Sequence, residues 1–532
     1  MTRTRIGLVL SALAAITACT APAANETASS SPLVVAVDGG RLNGSADGDV
    51  RIFKAIPYAA PPTGGLRWRP PQPIVPWAGV RDATRFSPAC LQRRRGQDSF
   101  YGQIVDQMSE DCLYLNVWTR APTNAPAPVM VWIHGGALTS GHGGEVTYDG
   151  TALAKRGVVL VTINYRLGPL GYLSHPLLRE ESPQKSSGNY GTLDQVAALN
   201  WVQKNIAAFG GDPGRVTIFG ESAGSWSVNH LMASPLAKGL FHRAIGESGG
   251  GFGSIGGATP KADAEAAGER FVVTLLGSGG TPTLEAMRAK TGDDVIAVTA
   301  ALSRPNVDGW VFPDTIYNIF AAGRQNDVPV IVGSNADEGT SLGAGGRGST
   351  TVADYKKSAR ETYGPLADAF LKTYPVSKDE DTLDARVASY TDQIFGWEMW
   401  SWARMMDTVS SDAYLYFFSR VAPGADRERV KAFHAAEIIY VFDNLGKSPY
   451  KYANRAYDET DRTLSNTMAS YWVNFATKGN PNGEGLTAWP VYSRQADEAL
   501  EFGDAVQVRK ALRNDRLEFT DRYYSTRRTN RN

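Results

Sequence analysis

The chain has 532 residues, 42% of them hydrophobic and 10% aromatic, a composition that supports a large buried core and excludes an intrinsically disordered protein. Its 54 basic and 54 acidic residues cancel, so no overall field attracts nucleic acid or an anionic membrane. We therefore expect a small neutral substrate as the partner, and no nucleic acid.

The first residues have the features of an export signal. Arg3 and Arg5 give a basic start, and an apolar run follows from Ile6 to Ala18. Because this run is too short to span a membrane in the mature protein, residues 1–18 are predicted to be a signal peptide. The tetrapeptide ITAC, which ends at Cys19, resembles the lipobox of bacterial lipoproteins, in which the cysteine becomes the lipidated first residue.

The alternative to lipidation is ordinary cleavage near Ala21 to Ala24, which would discard Cys19. In either case the protein is exported, as a periplasmic or envelope lipoprotein or as a secreted protein. Membrane attachment is expected only through a lipidated Cys19. Residues 19–31 are predicted to be a flexible tether, and residues 32–532 a single folded domain.

Two other cysteines are present, Cys90 and Cys112. In an exported protein a lone pair is most simply a disulfide, and two free thiols are the alternative. So few cysteines argue against a metal site.

Short apolar runs alternate with a helical pattern along the rest of the chain. Leu193, Val196, Leu199 and Val202 recur at helical spacing, and this helix is expected to stop at Gly210. The order of strand, helix and strand predicts a mainly parallel sheet covered by helices. The predicted strands, rich in Val, Ile and aromatic residues, are 128–136, 157–166, 215–220, 328–339 and 413–419.

Three serines, Ser222, Ser248 and Ser341, fit the pattern G-x-S-x-G, which places a reactive serine on a sharp turn between a strand and a helix. Only Ser222 has a predicted strand before it and a segment that can be helical after it. Glycine-rich segments follow Ser248 and Ser341, which predicts loops there. Ser222 is therefore the candidate nucleophile.

A serine nucleophile needs a base, and six histidines are present. In α/β-hydrolases the order along the chain is nucleophile, acid, histidine, and only His434 leaves room for an acid after Ser222. The segment that ends the predicted strand 328–339 offers Asp337 and Glu338, which spacing alone does not separate. An oxyanion hole needs open backbone N–H groups, which Gly135, Gly136 and Ala223 could supply.

Long segments of the chain resemble the type B carboxylesterase family, which includes the cholinesterases and the bacterial para-nitrobenzyl esterases. The strongest likeness is GNYGTLDQVAALNWVQKNIAAFGGDPGRVTIFGESAG at 188–224, and SEDCLYLNVW at 109–118 resembles a second family signature. The resemblance implies an α/β-hydrolase fold for residues 32–532, with a mostly parallel sheet, flanking helices and insertions that form an active-site gorge. It also implies that this single domain is catalytic and needs no metal or cofactor.

Carried over residue by residue, the resemblance assigns the nucleophile to Ser222, the acid to Glu338 rather than Asp337, and the base to His434. It assigns the oxyanion amides to Gly135, Gly136 and Ala223, and a disulfide to Cys90 with Cys112. An ESG segment lies close to the triad in the family, so Ser248 is expected to be a hydrogen-bond partner in its second layer.

The function expected from these residues is hydrolysis of carboxylic esters through an acyl-enzyme. The alternatives are a lipase or amidase with the same triad, or a non-catalytic adhesion or scaffold protein on this fold, which the three triad residues argue against. In cholinesterases the loop closed by the first disulfide carries a tryptophan that binds the choline cation. The loop 91–111 has Phe100, Tyr101 and three arginines instead, so we expect uncharged short-to-medium acyl or aryl esters as substrates.

Overall fold

The computed structural model describes residues 1–2, 33–94, 96, 99–102, 105–120, 126–253, 255–277, 279–298, 304–343, 345 and 348–529. Apart from residues 1 and 2, the expected signal peptide, Cys19 and the tether lie outside the described residues. The chain divides into two units, Met1–Pro32 and Leu33–Asn532, and the helices and strands of the described residues lie in the second. None of the helices in the described part of the chain is long and apolar enough to cross a membrane.

The strands follow one another along the whole of the second unit. They are β1 (Val34–Val37), β2 (Gly40–Asn43), β3 (Ser45–Asp47), β4 (Val50–Pro57), β5 (Val80–Asp82), β6 (Ala89–Cys90), β7 (Met108–Ser109), β8 (Tyr114–Thr119), β9 (Ala127–Ile133), β10 (Val159–Ile163), β11 (Gly211–Glu221), β12 (Arg243–Glu247), β13 (Thr259–Pro260), β14 (Asn306–Val307), β15 (Val330–Asn335), β16 (Ala413–Phe418), β17 (Glu498–Phe502) and β18 (Val506–Lys510).

The helices lie mostly between the later strands. They are α1 (Thr151–Lys155), α2 (Gly168–Tyr172), α3 (Pro176–Glu181), α4 (Tyr190–Asn205), α5 (Ala223–Ala233), α6 (Lys261–Leu276), α7 (Leu284–Ala289), α8 (Gly292–Ala297), α9 (Ile316–Ala321), α10 (Val352–Tyr363), α11 (Ala367–Thr373), α12 (Asp381–Thr391), α13 (Trp397–Met405), α14 (Arg427–Val430), α15 (Ile438–Val441), α16 (Glu459–Lys478) and α17 (Asn514–Thr529).

The main sheet has eleven strands in the order β18-β17-β16-β15-β12-β11-β9-β10-β8-β4-β3. Its neighbours from β17 to β10 are all parallel, whereas the pairs at both edges are antiparallel. The five predicted strands are β9, β10, β11, β15 and β16, so the mainly parallel sheet is confirmed. With helices on both faces, this is the α/β-hydrolase fold that the sequence predicts.

The sheet has a buried layer on each face because its central strands are apolar throughout. In β9, Val129, Val131 and Ile133 pack into one core and Met130 and Trp132 into the other. This alternation follows from the two-residue period of a strand. Helices α4 and α5 cover the first face, and α16 covers the second.

The predicted helix after residue 190 and the predicted disulfide are both present. Helix α4 continues as a 3₁₀ turn from Ile206 to Phe209 and ends at Gly210, whose φ of 85° suits glycine. Cys90 and Cys112 form a disulfide that closes a loop carrying Tyr101. The disulfide fixes where this loop leaves and rejoins the body of the protein.

The carboxyl ends of three parallel strands meet at one edge of the sheet. Glu221 at the end of β11 pairs in register with Glu247 of β12, and Glu247 pairs with Gly333 of β15. The segments that follow these strands therefore emerge side by side, as is usual for ligand sites in open parallel sheets.

Candidate active site

Ser222 lies on the sharp turn that joins β11 to α5. Its φ of 57° and ψ of −121° are unusual for a residue other than glycine, and its N–H donates to the Glu247 carbonyl at 2.8 Å. A Cβ on Gly224 would lie 2.0 Å from the Ile133 carbonyl oxygen, so this position requires glycine. The tight packing behind the turn explains the G-x-S-x-G pattern here.

The other two serines occupy different contexts, as the sequence predicts. Ser248 follows β12 with a φ of 56°, but the next helix, α6, begins only at Lys261. Ser341 follows the 3₁₀ turn Glu338–Thr340, and the next helix, α10, begins at Val352. Of the three serines, only Ser222 has the strand before it and the helix directly after it.

His434 and Glu338 are in direct contact although 96 residues separate them in the chain. His434 Nδ1 donates to Glu338 Oε2 at 2.6 Å, and both side chains are buried. The second oxygen, Glu338 Oε1, accepts from the Asn335 N–H at 2.8 Å. A carboxylate at Nδ1 fixes the histidine tautomer whose Nε2 is free to accept a proton.

Asp337, the alternative acid, points elsewhere. Its Oδ2 accepts from the Ala432 N–H at 3.2 Å, and its own N–H donates to the Ala432 carbonyl. The turn after β15 therefore directs two adjacent carboxylates in different directions, and only Glu338 contacts His434.

A group of buried glutamates surrounds this histidine. His434 Nε2 lies 3.1 Å from Glu221 Oε1, and Oε1 has no hydrogen-bond partner among the described residues. Burial, followed by the charge of Glu437, raises the pKa of Glu221 well above its ordinary range. Burial, followed by the charge of Glu338, raises the pKa of Glu437 to about 7. The raised pKa favours the neutral form of Glu221, which limits charge repulsion in the group.

Ser248 joins this group in a second layer. Its Oγ donates to Glu437 Oε1 at 3.2 Å, and Asn335 Nδ2 donates to Glu437 Oε2 at 2.5 Å and to the Phe433 carbonyl at 2.8 Å. Asn335 thus contacts Glu338 through its backbone and Glu437 through its side chain. The sequence analysis does not predict a role for Asn335 or Glu437. The sequence feature that could have pointed to Glu437 is its position three residues after His434.

Gly135 and Gly136 follow β9 and face the turn that carries Ser222. A Cβ on Gly135 would lie 3.2 Å from the Ser222 Cβ, so this backbone lies against the serine. Within the described residues, no acceptor takes the N–H of Gly135 or Gly136. The Ala223 N–H is in the first turn of α5, where helical N–H groups have no partner within the helix. Three amides are thus available near Ser222.

A cavity of about 220 Å³ opens onto these groups. Ser222, His434, Gly135 and Gly136 line it together with Glu221. The remaining wall is mainly apolar and includes six aromatic rings, those of Tyr101, Tyr148, Trp226, Tyr390, Phe395 and Tyr452. The Phe395 ring lies 4.7 Å from the imidazole of His434, centroid to centroid, so the histidine packs against the apolar wall.

The disulfide loop reaches this cavity through Tyr101. The Tyr101 hydroxyl donates to the His434 carbonyl at 2.7 Å and accepts from Ser341 Oγ at 2.6 Å. Arg93 instead donates to the carbonyls of Ile296 and Ala297. Arg94 donates to the Val105 carbonyl, and the third arginine, at position 95, lies outside the described residues.

Three of the other histidines make structural contacts. His230 Nε2 lies 2.7 Å from the Gly256 carbonyl, and His242 Nδ1 accepts from the Val216 N–H at 3.2 Å. His134 donates through Nδ1 to the Gly135 carbonyl at 2.8 Å, and burial lowers its pKa to about 3. His134 therefore stays neutral while it orients the peptide of Gly135.

Comparison with known proteins finds relatives that are named as esterases. The family model described as "Carboxylesterase family" matches residues 31–520. Fumonisin B1 esterase of Sphingopyxis macrogoltabida is 39% identical, over 86% of this chain and 84% of that protein. Carboxylesterase 1D of Mus musculus is 36% identical, over 88% of each chain.

Solved structures are also similar along most of the chain. A PNB esterase superimposes with a TM-score of 0.78 at 32% identity, and the match covers 92% of this chain and 100% of that one. A thermophilic PNB esterase gives a TM-score of 0.80 at 32% identity with the same coverage. The fold and these relatives define a carboxylic ester hydrolase of the α/β-hydrolase class. The chain belongs to the carboxylesterase family, which it matches along nearly its whole length.

Proposed function

We propose that Ser222, His434 and Glu338 form a catalytic triad that hydrolyses uncharged short-to-medium acyl or aryl esters. The observation that carries this proposal is the 2.6 Å contact between His434 Nδ1 and Glu338 Oε2 beside the cavity that Ser222 lines. A histidine held in this tautomer by a carboxylate is the arrangement that activates a serine.

Acylation begins when His434 Nε2 takes the proton of the Ser222 hydroxyl. The Ser222 Oγ attacks the ester carbonyl, and the N–H groups of Gly135, Gly136 and Ala223 stabilise the oxyanion that forms. His434 then gives its proton to the leaving alkoxide, so the alcohol departs and an acyl-serine remains. No hydrogen bond joins Ser222 Oγ to His434 among the described contacts, and such bonds are often long without substrate.

Deacylation repeats these steps with water as the nucleophile. His434 takes a proton from the water, whose oxygen attacks the acyl-serine carbonyl, and the same amides stabilise the second oxyanion. The Ser222 oxygen leaves and recovers its proton from His434. The products are one acid and one alcohol for each ester bond cleaved.

The cavity supports a small uncharged substrate. Its volume of about 220 Å³ is below the range of about 300 to 1,000 Å³ that is typical for drug-sized ligands. Six aromatic rings line it, and burial raises the pKa of Glu221, which favours the neutral form of that carboxyl. A short acyl or aryl group fits these surroundings better than a long chain or a permanent cation.

The segment before the domain supports export. We propose a cleaved signal peptide at residues 1–18 and lipid attachment at Cys19, with secretion after cleavage near Ala21 to Ala24 as the alternative. The basic residues at positions 3 and 5 and the apolar run after them carry this part of the proposal.

Covalent labelling tests the identity of the nucleophile. A fluorophosphonate reacts with activated serines, and peptide mass spectrometry then identifies the modified residue. We expect the label on Ser222 alone, and its loss in His434→Ala. A label on Ser248 or Ser341 would overturn the assignment.

A substrate panel then tests the reaction class. Matched acetyl, butyryl and long-chain esters of one aryl alcohol, with the corresponding anilide, separate an esterase from a lipase or an amidase. We expect the highest kcat/KM for the short esters. A preference for the anilide or for the long chain would contradict the proposed substrate class.

A further inference from the structure

A second and larger cavity lies between helix α17 and the chain around Phe252–Gly253 and Gly257–Pro260. It has a volume of about 460 Å³, and its charged wall residues are Arg528, which is half-buried, and the exposed Arg304, Arg527 and Asp263. Three guanidinium groups against one carboxylate leave an excess of two positive charges. Such an excess in a concave site favours a ligand of the opposite charge.

Two of these arginines form no ion pair with a described carboxylate, although the charge of Arg528 acts on the Glu398 carboxyl. Arg513 and Arg516, near the start of α17, both pair with Asp392, whereas none of the described ion pairs contains Arg527 or Arg528 near its end. Exposed arginines commonly lack an ion pair, but these two guanidinium groups line the same cavity. Their charge is available to a ligand.

Arg528 is held in place by neighbouring side chains. Its guanidinium carbon lies 3.9 Å from the centre of the Tyr317 ring, and Nη2 donates to Ser525 Oγ at 3.0 Å. Its Nη1 is buried, with no acceptor among the described residues. Arg527 is held similarly, since its Nη1 donates to the Tyr523 hydroxyl at 2.7 Å. These fixed positions reduce the entropy cost of binding a ligand.

This cavity is separate from the candidate active site but shares a wall with it. Ile255 lines the cavity that contains Ser222, whereas Gly253 and Gly257, two residues away on either side, line the second one. Glu398 holds this wall, because its carboxyl accepts from the N–H groups of Phe252 and Gly253. Burial raises the pKa of Glu398 to about 8, so this carboxyl adds little negative charge at pH 7.

We propose that the second cavity binds a small anion that carries two or more negative charges, either a dicarboxylate or a phosphate. Guanidinium groups match the planar oxygen pairs of both kinds of anion, and two of them are needed to balance a doubly charged ligand. Asp263 opposes such a ligand and limits its affinity. The proposal does not depend on the ester chemistry at Ser222.

Thermal unfolding and calorimetric titration of the protein test this site at low ionic strength. Succinate and inorganic phosphate are the probes, and chloride at equal ionic strength is the reference. We expect saturable stabilisation by at least one probe, and comparison of the two identifies the class of anion. Acetate, with one charge, should bind at least about tenfold more weakly than succinate.

Variants connect the effect to the cavity. Arg527→Gln and Arg304→Gln should each weaken binding about tenfold, because each removes a guanidinium from the wall. Arg270→Gln is the matched control, since Arg270 is exposed on α6 and does not line the cavity. Asp263→Asn should strengthen binding, a gain that misfolding would not produce.

Two results would overturn the site. One is the absence of saturable stabilisation by either probe beyond that of chloride. The other is equal weakening in Arg270→Gln and Arg527→Gln, which would indicate a general charge effect. Weaker binding in Asp263→Asn, with the protein folded, would also contradict the proposed location.

Discussion

The Tyr101 hydroxyl donates a hydrogen bond to the carbonyl oxygen of His434, with 2.7 Å between the two oxygens. Tyr101 also accepts from Ser341 Oγ, three residues after Glu338. The disulfide loop therefore contacts both segments that supply the histidine and its carboxylate. We expect a positioning role for Tyr101, because it holds the His434 backbone through this bond and packs edge-on against the imidazole, with 6.4 Å between the ring centres.

Removal of the Tyr101 hydroxyl should lower kcat and leave KM nearly unchanged. Tyr101→Phe keeps the ring in the cavity wall but loses a hydrogen bond worth about 1 kcal/mol, which corresponds to roughly a fivefold change in rate. Ser341→Ala is the control, because it keeps the bond to His434 and should change kcat less than twofold. A larger effect of Ser341→Ala, or an effect of Tyr101→Phe on KM alone, would contradict the positioning role.

Substitution of the proposed nucleophile should abolish activity without unfolding the protein. Ser222→Ala leaves no side chain that can attack the carbonyl, so kcat should fall by about 10⁴-fold or more. His434→Ala should cause a loss of similar size, because the two residues act together. Ser248→Ala is the comparison, with an expected decrease of about tenfold at most. Steady-state kinetics and circular dichroism provide the measurements, and a small effect of Ser222→Ala would exclude the triad.

The sequence predicts local parts of this site well and long-range parts poorly. The turn at Ser222 depends on a strand, two glycines and a helix that are contiguous in the chain, so pattern reasoning finds it. Asp337 and Glu338 are adjacent, and the 3₁₀ turn points their carboxylates in different directions. Spacing therefore does not show which of them contacts His434, and only the family resemblance selects Glu338. Asn335 and Glu437 meet only after folding, so nothing local reveals their contact.

The raised pKa of Glu437 predicts a stability that depends on pH. Its carboxyl has an ordinary pKa of 4.5 in the unfolded chain and about 7 in the folded protein, so the folded state binds the proton more tightly. The free energy of unfolding should therefore be highest below pH 4.5 for this group and should decrease as pH rises through 7. This difference in pKa corresponds to a change of at most about 3 kcal/mol in the free energy of unfolding.

Glu437→Gln isolates this contribution, because glutamine resembles the protonated carboxyl and keeps partners for Ser248 and Asn335. Urea unfolding at pH 5 and pH 8 should show a smaller loss of stability in the variant than in the wild type. Glu285→Gln, at an exposed position, is the control and should behave as the wild type does. An equal loss in all three proteins would show that Glu437 is not responsible.

The fate of Cys19 is testable on the protein isolated from cells that export it. If lipid is attached, the intact mass should exceed that of the chain from Cys19, and the protein should partition into detergent. Cys19→Ser should remove the added mass and return the protein to the aqueous phase. A mature chain that begins at Ala24 without lipid would favour secretion instead.

The cavity wall predicts little preference for choline esters. The disulfide loop contributes Tyr101, whose hydroxyl is occupied by His434 and Ser341, and burial raises the pKa of Glu221 beside Ser222, which favours its neutral form. A quaternary ammonium would therefore lose its water without gaining a carboxylate partner, although the aromatic rings offer some cation–π attraction. A choline ester and its neutral carbon isostere, with the same acyl group, should give kcat/KM values within about tenfold of each other, in favour of the neutral ester. The opposite result would be a clear advantage in kcat/KM for the choline ester. If that advantage remained in Tyr101→Phe and was lost in Glu221→Gln, it would show that Glu221 is ionised and that the cavity recognises cations.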